Sequence, residues 1–188
     1  MNKRLLALSV FVLSAALARV LPHPPNVTPI AAMALFGGAC FSNRRLAFLL
    51  PLAAMMLSDL MLFGLGQVPF PGVLSVWVYG SFALTVCIGI SLRRRRRALP
   101  IARATLASAA LFYVVTNFGV WATGAWYPRT AAGLATCYTA AIPFFRNMLI
   151  GDACYVALLF GGFALMEKWF PVFREPELIG ASVVLREI

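Results

Sequence analysis

The sequence predicts an all-α, polytopic membrane protein, a single domain over residues 1–188 built as a bundle of six transmembrane helices. Three observations carry this expectation. Hydrophobic residues make up 62% of the chain and charged residues 12%, about half the charged share of a soluble domain. The apolar residues stand in solid blocks near the ~20 residues that a membrane-crossing helix needs, without the alternation of a membrane β-barrel. The basic residues lie between the blocks and divide unequally between the two sides of the membrane.

The spans fall near residues 5–21, 27–42, 46–64, 72–92, 101–121 and 145–166. Lys3 and Arg4 precede the first span, which ends in Ala16-Leu17-Ala18. A charged start, an apolar run and an A-x-A site also describe a signal peptide. Retention as a span is the expectation, because a further span follows directly after Asn26. The second span is short, and Pro29 suits its first turn. The third holds Pro51 and Asp59, so a kink is expected there. Arg93 to Arg97 separate the fourth and fifth spans and read as an anchor for anionic lipid head groups. Residues 122–144 contain Gly124, Pro128, Gly133 and Pro143 but are too apolar for a free loop. They are expected to fold back over the helix ends as an outer capping segment.

Lys3, Arg4, Arg44, Arg45, Arg93 to Arg97, Arg103, Lys168, Arg174 and Arg186 place 13 basic residues on one side. Arg19, Arg129 and Arg146 are the three on the other. The positive-inside rule then puts both termini in the cytoplasm. The net charge of +10 therefore reports topology, and nucleic acid is not an expected partner. The lipid bilayer is.

Charges within apolar spans are costly and mark function or pairing. Arg19 and Asp59 both fall near the outer ends of early spans and are expected to form a structural ion pair. Arg146 and Asp152 form a second such pair or border an outward cavity. Asn117, Trp121, Trp126, Tyr127, Asn147 and Tyr155 gather at the same level. An interfacial aromatic belt accounts for part of this set. Asn117 inside a span and the adjacent Arg146 and Asn147 fit a small-molecule site with apolar walls and a few polar groups. The proline-rich turn 22–29 offers His23 and Asn26 from above, with Asn26 or Thr28 available to cap the next helix. The candidate binding residues are thus His23, Asn26, Asn117, Trp121, Trp126, Tyr127, Arg146, Asn147 and Asp152.

Catalysis and metal binding find little footing. The one histidine lies in the turn, and no HExxH motif, paired carboxylates or phosphate-cradling glycine loop occurs. Cys40, Cys87, Cys137 and Cys154 form no CxxC pair and read as small core residues. Neither an enzyme nor a cofactor or metal site is expected.

Three stretches carry a resemblance. They are Arg19-Val-Leu-Pro-His-Pro-Pro-Asn-Val-Thr-Pro-Ile-Ala-Ala-Met-Ala-Leu-Phe-Gly-Gly, Leu57-Ser58-Asp59 and Ala141-Ile-Pro-Phe-Phe-Arg-Asn-Met-Leu-Ile-Gly-Asp152. They resemble an uncharacterised bacterial membrane family grouped with the S components of energy-coupling factor (ECF) transporters. The resemblance implies a six-helix subunit that binds a vitamin, a vitamin precursor or a metal ion in an outward pocket. It also implies an energising partner module, a transmembrane coupling protein with two ATPases, docked through small residues of the first helices. Here the first span offers Ser14-xxx-Ala18 where that family often has AxxxA. The leading functional expectation is a substrate-binding membrane subunit for uptake of a small vitamin-like molecule. The alternative is a structural or assembly subunit of a larger membrane complex with no small-molecule substrate.

Overall fold

The computed structural model describes residues 3–67 and 72–174. Within them the chain is all-helical, with no strand. In order come α1 (Lys3–Ala18), α2 (Ile30–Cys40), α3 (Arg44–Gly64), α4 (Val73–Ser91), α5 (Ala98–Thr123) and α6 (Ala131–Val156). A π turn (Ala157–Gly161) joins α6 to α7 (Gly162–Trp169), and a 3-10 turn (Pro171–Phe173) follows.

Four helical stretches are long and apolar enough to cross a membrane: Arg44–Gly64, Val73–Ser91, Ala98–Thr123 and Ala131–Trp169. Their outer faces carry exposed Leu49, Leu57, Val76, Leu106, Leu158 and Leu165. A soluble protein rarely leaves so much apolar surface open, whereas lipid covers it without cost.

The second expected span takes a different form. It shrinks to the 11 residues of α2, about 16 Å at 1.5 Å per residue, too short to cross a bilayer. Every residue of α2 after Ile30 is buried. The helix is the hub of the fold, packed against α1, α3, α4, α5, α6 and the π turn. An apolar run without a polar face marks a helix enclosed on all sides. Close approach makes that enclosure possible. A Cβ at Gly38 would stand 2.8 Å from the Ile90 nitrogen, and one at Gly89 would stand 3.0 Å from Leu35 Cα. Glycine at both positions lets the α2 and α4 backbones touch.

The outer segment is also different from its sequence expectation. Residues 122–144 do not fold back as a cap. Thr123 ends α5, Gly124 caps it in the left-handed region (φ 68), and α6 already starts at Ala131. Thr130 sets that start by accepting a hydrogen bond from the Gly133 nitrogen at 3.1 Å. Pro143 lies inside α6 without ending it, as prolines can in buried or membrane helices. Helix α6, the π turn and α7 run for 39 residues, about 58 Å. This exceeds the ~40–45 Å of a whole bilayer, so the rod is tilted or projects beyond it.

The arginines gather at one end of the bundle, where α1, α3 and α5 begin and α2, α4 and α7 end. Here they lock the hub. The C-terminal carbonyls of a short buried helix have no water to bond. Arg93 Nε donates to the Gly38 carbonyl at 3.0 Å, Arg93 Nη1 to that of Ser42 at 3.1 Å, and Arg4 Nη2 to that of Cys40 at 3.4 Å. Positive charge at a helix C-terminus also suits its dipole. Arg4, 5% exposed, further binds Glu167 at 2.5 Å and lies 5.2 Å from the Phe163 ring centroid. Arg96 approaches Glu167 at 3.6 Å. Within the pentabasic run, which forms the turn between α4 and α5, Arg94, Arg95 and Arg97 remain exposed, while Arg93 and Arg96 turn inward. The run is therefore only in part a surface anchor. Met1, Arg186 and Ile188, on which the terminal topology also rests, lie outside the described residues.

Candidate functional site

At the end remote from the arginine cluster the early charges meet. Arg19, 7% exposed, donates from Nη2 to Asp59 Oδ1 at 2.6 Å and from Nη1 to the Ser58 hydroxyl and the Met55 carbonyl. Tyr79 donates its hydroxyl to Asp59 Oδ2 at 2.7 Å. Helices α3 and α4 and the end of α1 are tied together by this one network.

Arg146 and Asp152 do not pair. Arg146 is exposed, and Asp152 is 1% exposed with Oδ2 lacking a hydrogen-bond partner. The helical offset explains this: six residues on a straight helix rotate the second side chain about 120° from the first.

The other expected site residues sit at the same remote end but are engaged locally. Asn117 donates to the Tyr113 carbonyl of its own helix at 2.8 Å. Trp121 Nε1 bridges the carbonyls of Pro128 at 3.1 Å and Thr130 at 3.2 Å, closing the α5–α6 turn. Trp126 is 77% exposed, and Tyr127 is half-buried beside it. Asn147 donates to the Pro25 carbonyl at 3.1 Å, which seats the proline-rich turn on α6. In that turn His23 Nδ1 bonds the Leu21 carbonyl at 2.6 Å, and Asn26 adopts φ 63. Asn tolerates the left-handed region better than most residues. Neither Asn26 nor Thr28 caps α2. Its N-cap is Pro29, with no side-chain hydrogen bond. A depression of about 350 Å³ nearby is lined by Val73, Trp77, Ala122, Thr123 and Arg129, none of them among the nine candidates.

A larger cavity lies elsewhere. It is a groove of about 810 Å³ between the first turns of α5 and the rod formed by α6, the π turn and α7, floored by Phe36 and Cys40 of α2. Helices α5 and α6 pack closely at the remote end, through Tyr113, Tyr138 and Phe145. Toward the arginine end they leave this space. Small side chains make the volume: Ala98 and Ala102 on one wall, Ala153, Ala157, Gly161 and Ala164 on the other. The π turn, a form frequent at functional sites, contributes Ala157, Phe160 and Gly161. At the arginine end Arg96 and Glu167 supply the polar lining. Helical spacing on α5 (positions 98, 101/102, 105/106) places Ala98, Ile101, Ala102, Thr105 and Leu106 on a single face. That spacing is visible in the sequence, but nothing in it says that the face opens on empty space.

Among the described residues no group of three or more His, Cys, Asp or Glu is placed to hold a metal ion. Cys40 and Cys137 are buried, whereas Cys87 and Cys154 lie on exposed helix faces rather than in the core.

Fold and groove together define a class: an all-α protein with membrane-length apolar helices around a short buried hub, holding an apolar groove with one charged end. The chain belongs to the family of unknown function DUF6580, whose model matches residues 1–173. Neither a curated protein nor a solved structure matches it.

Proposed function

We propose that this protein is a membrane-embedded subunit that binds a small, largely apolar molecule in the groove between α5 and the α6–α7 rod. The groove carries this reading. Its volume of about 810 Å³ falls in the ~300–1,000 Å³ range of small-molecule sites. Its apolar walls and a charged pair at one end are the usual makeup of such a site. The basic side is read as cytoplasmic, the bundle as multi-pass in a bacterial inner membrane, and the protein as a binder without catalysis of its own. The resemblance to ECF S components favours uptake with a separate energising module, but the groove lies toward the basic end, read as cytoplasmic, and is not the outward pocket that the resemblance implies. A vitamin-like ligand in that role would have to be predominantly apolar.

The alternative, an assembly subunit, draws on a separate observation. Several of the residues expected to line an outward pocket are spent on backbone carbonyls, as Trp121 and Asn147 are.

Native mass spectrometry of protein purified in mild detergent tests the reading. Wild type should carry a stoichiometric small molecule that Ala164→Trp, which fills the groove, loses while keeping its helical content. An unliganded wild type that co-purifies with non-transport membrane subunits would favour assembly instead.

A further inference from the structure

We propose that the groove is a lipid site whose occupant is an anionic phospholipid, with an acyl tail along the α5 and α6–α7 walls and its phosphate at the arginine end. This rests on the reading that the groove is a binding site, and it names the ligand's chemistry.

Two independent features define that chemistry. The first is polarity along the groove. Ile101, Leu106, Leu149, Val156 and Phe160 line its length, and the polar groups Arg96 and Glu167 stand at one end. A ligand that matches must be amphiphilic, with an extended apolar part and one polar head. The second is the sign of the charge around that head. At this end the described residues hold Lys3, Arg4, Arg44, Arg45, Arg93 to Arg97, Arg103, Lys168 and Arg174, which is 12 basic groups against the single acid Glu167. That leaves an excess of 11 positive charges at this end among the described residues.

The start of α5 adds to this field. Arg97 is its N-cap, makes no side-chain capping bond, and is followed by Ala98, a groove residue. Arg97 N–H is bonded to the Arg95 carbonyl and Pro100 has no N–H, so the N–H groups of Ala98 and Leu99 and the positive dipole end of a 26-residue helix stand near the groove's charged end. A phosphate there meets the Ala98 and Leu99 N–H groups and the exposed Arg97 guanidinium, the usual kinds of donor for a phosphate oxygen, beside the Arg96–Glu167 pair. A cationic head would meet the same field as repulsion, and a neutral one would gain nothing from it.

Thermal unfolding in detergent micelles, with phosphatidylglycerol or phosphatidylcholine added, tests the proposal on the full chain. Phosphatidylglycerol should raise the transition temperature and phosphatidylcholine should not. Arg97→Gln removes one exposed charge and should weaken the phosphatidylglycerol response about fivefold in lipid concentration. Ala164→Trp should abolish it. Gly161→Leu, at a position where a Cβ meets nothing within 4 Å and φ is −67, fills the same space if the tryptophan variant fails to fold. Equal responses to both lipids, each lost in the filled variants, would overturn the anionic head while leaving the groove as a binding site. A phosphatidylglycerol response that survives both fillings would place the lipid on the protein surface and overturn the groove as its site. Occupation of the groove by a partner's helix, seen as cross-links from Ala164→Cys to a second protein, would overturn the lipid.

Discussion

Neutralising Arg19 or Asp59 should destabilise the protein, and neutralising both should restore part of the loss. The pair spans α1's end and α3 at 2.6 Å, with side-chain exposures of 9% and 16%. Removing one partner of a buried pair costs about 3–5 kcal/mol, because the other charge stays behind without compensation. The residual exposure and the surviving partners favour the low end. After Asp59→Asn, Arg19 keeps Ser58 and the Met55 carbonyl. After Arg19→Gln, Asp59 keeps only the Tyr79 hydroxyl among the hydrogen bonds described here, so that variant should be the weaker of the two. At roughly 2–4 °C per kcal/mol for a chain of this size, a loss of about 3 kcal/mol lowers the transition by about 6–12 °C. The double variant should recover a coupling of about 1–3 kcal/mol. Tyr79→Phe adds an internal check: it should cost about 1 kcal/mol with Asp59 present and clearly less in Asp59→Asn. Thermal unfolding in one detergent, followed by tryptophan fluorescence for all variants, reads the whole cycle. Strict additivity of the two neutralisations would refute the reasoning. The bond would then be a by-product of the packing, not one of its causes.

The hub makes its own prediction. Gly38→Ala and Gly89→Ala force backbone atoms of α2 and α4 apart and should each cost about 1–3 kcal/mol of unfolding stability, whereas Gly80→Ala, with nothing within 4 Å of the new Cβ, should be neutral or stabilising. Equal effects at all three positions would show that the close crossing does not hold. Asp152→Asn keeps the side chain's shape and replaces a buried carboxyl group whose Oδ2 has no partner. It should leave the transition temperature unchanged or raise it. A drop of several degrees would mean that the carboxylate is held as an anion.

Arg19 and Asp59 stood out in the sequence because a charge in an apolar block has few partners to choose from, and the two do meet. Tyr79, which completes that network, gave no signal, and Ser58 entered only within the stretch Leu57-Ser58-Asp59, with no role assigned to it, since a tyrosine or serine in a span is unremarkable by itself. Helix α2 was visible as an apolar run but misread as a span. Enclosure by protein and enclosure by lipid demand the same residue types, and only its 11-residue length separates them. Pro143 misled in the opposite direction. Proline ends most helices in water, but a membrane-length helix can run through one, as α6 does. The groove was out of reach altogether. Ala98, Ala102, Ala153, Ala157, Gly161 and Ala164 are unexceptional residues far apart in the chain, and only the divergence of α5 from the α6–α7 rod turns them into a cavity.

The surplus of basic residues at one end has a physical explanation beyond topology. A handful of positive charges suffices to orient a bundle, yet 12 described Lys and Arg crowd this end. Some of them are needed because the hub is short. Helix α2 ends inside the protein, so its last carbonyls must be met by donors that reach in from outside the apolar layer. Arginine alone combines a long apolar stem, a charge that persists at any pH and several N–H donors. Arg4 and Arg93 do this for Gly38, Cys40 and Ser42, and Arg96 reaches the Cys40 sulfur at 3.9 Å. The same reach brings Arg96 and Glu167 to the mouth of the groove. The helix whose burial requires the arginines is also the helix whose Phe36 and Cys40 floor the cavity. Lengthening α2 into a true span would dismiss the inward arginines and fill the groove's floor at one stroke. The hub, the inward arginines and the groove therefore share the end of α2, and a change there should be felt in all three.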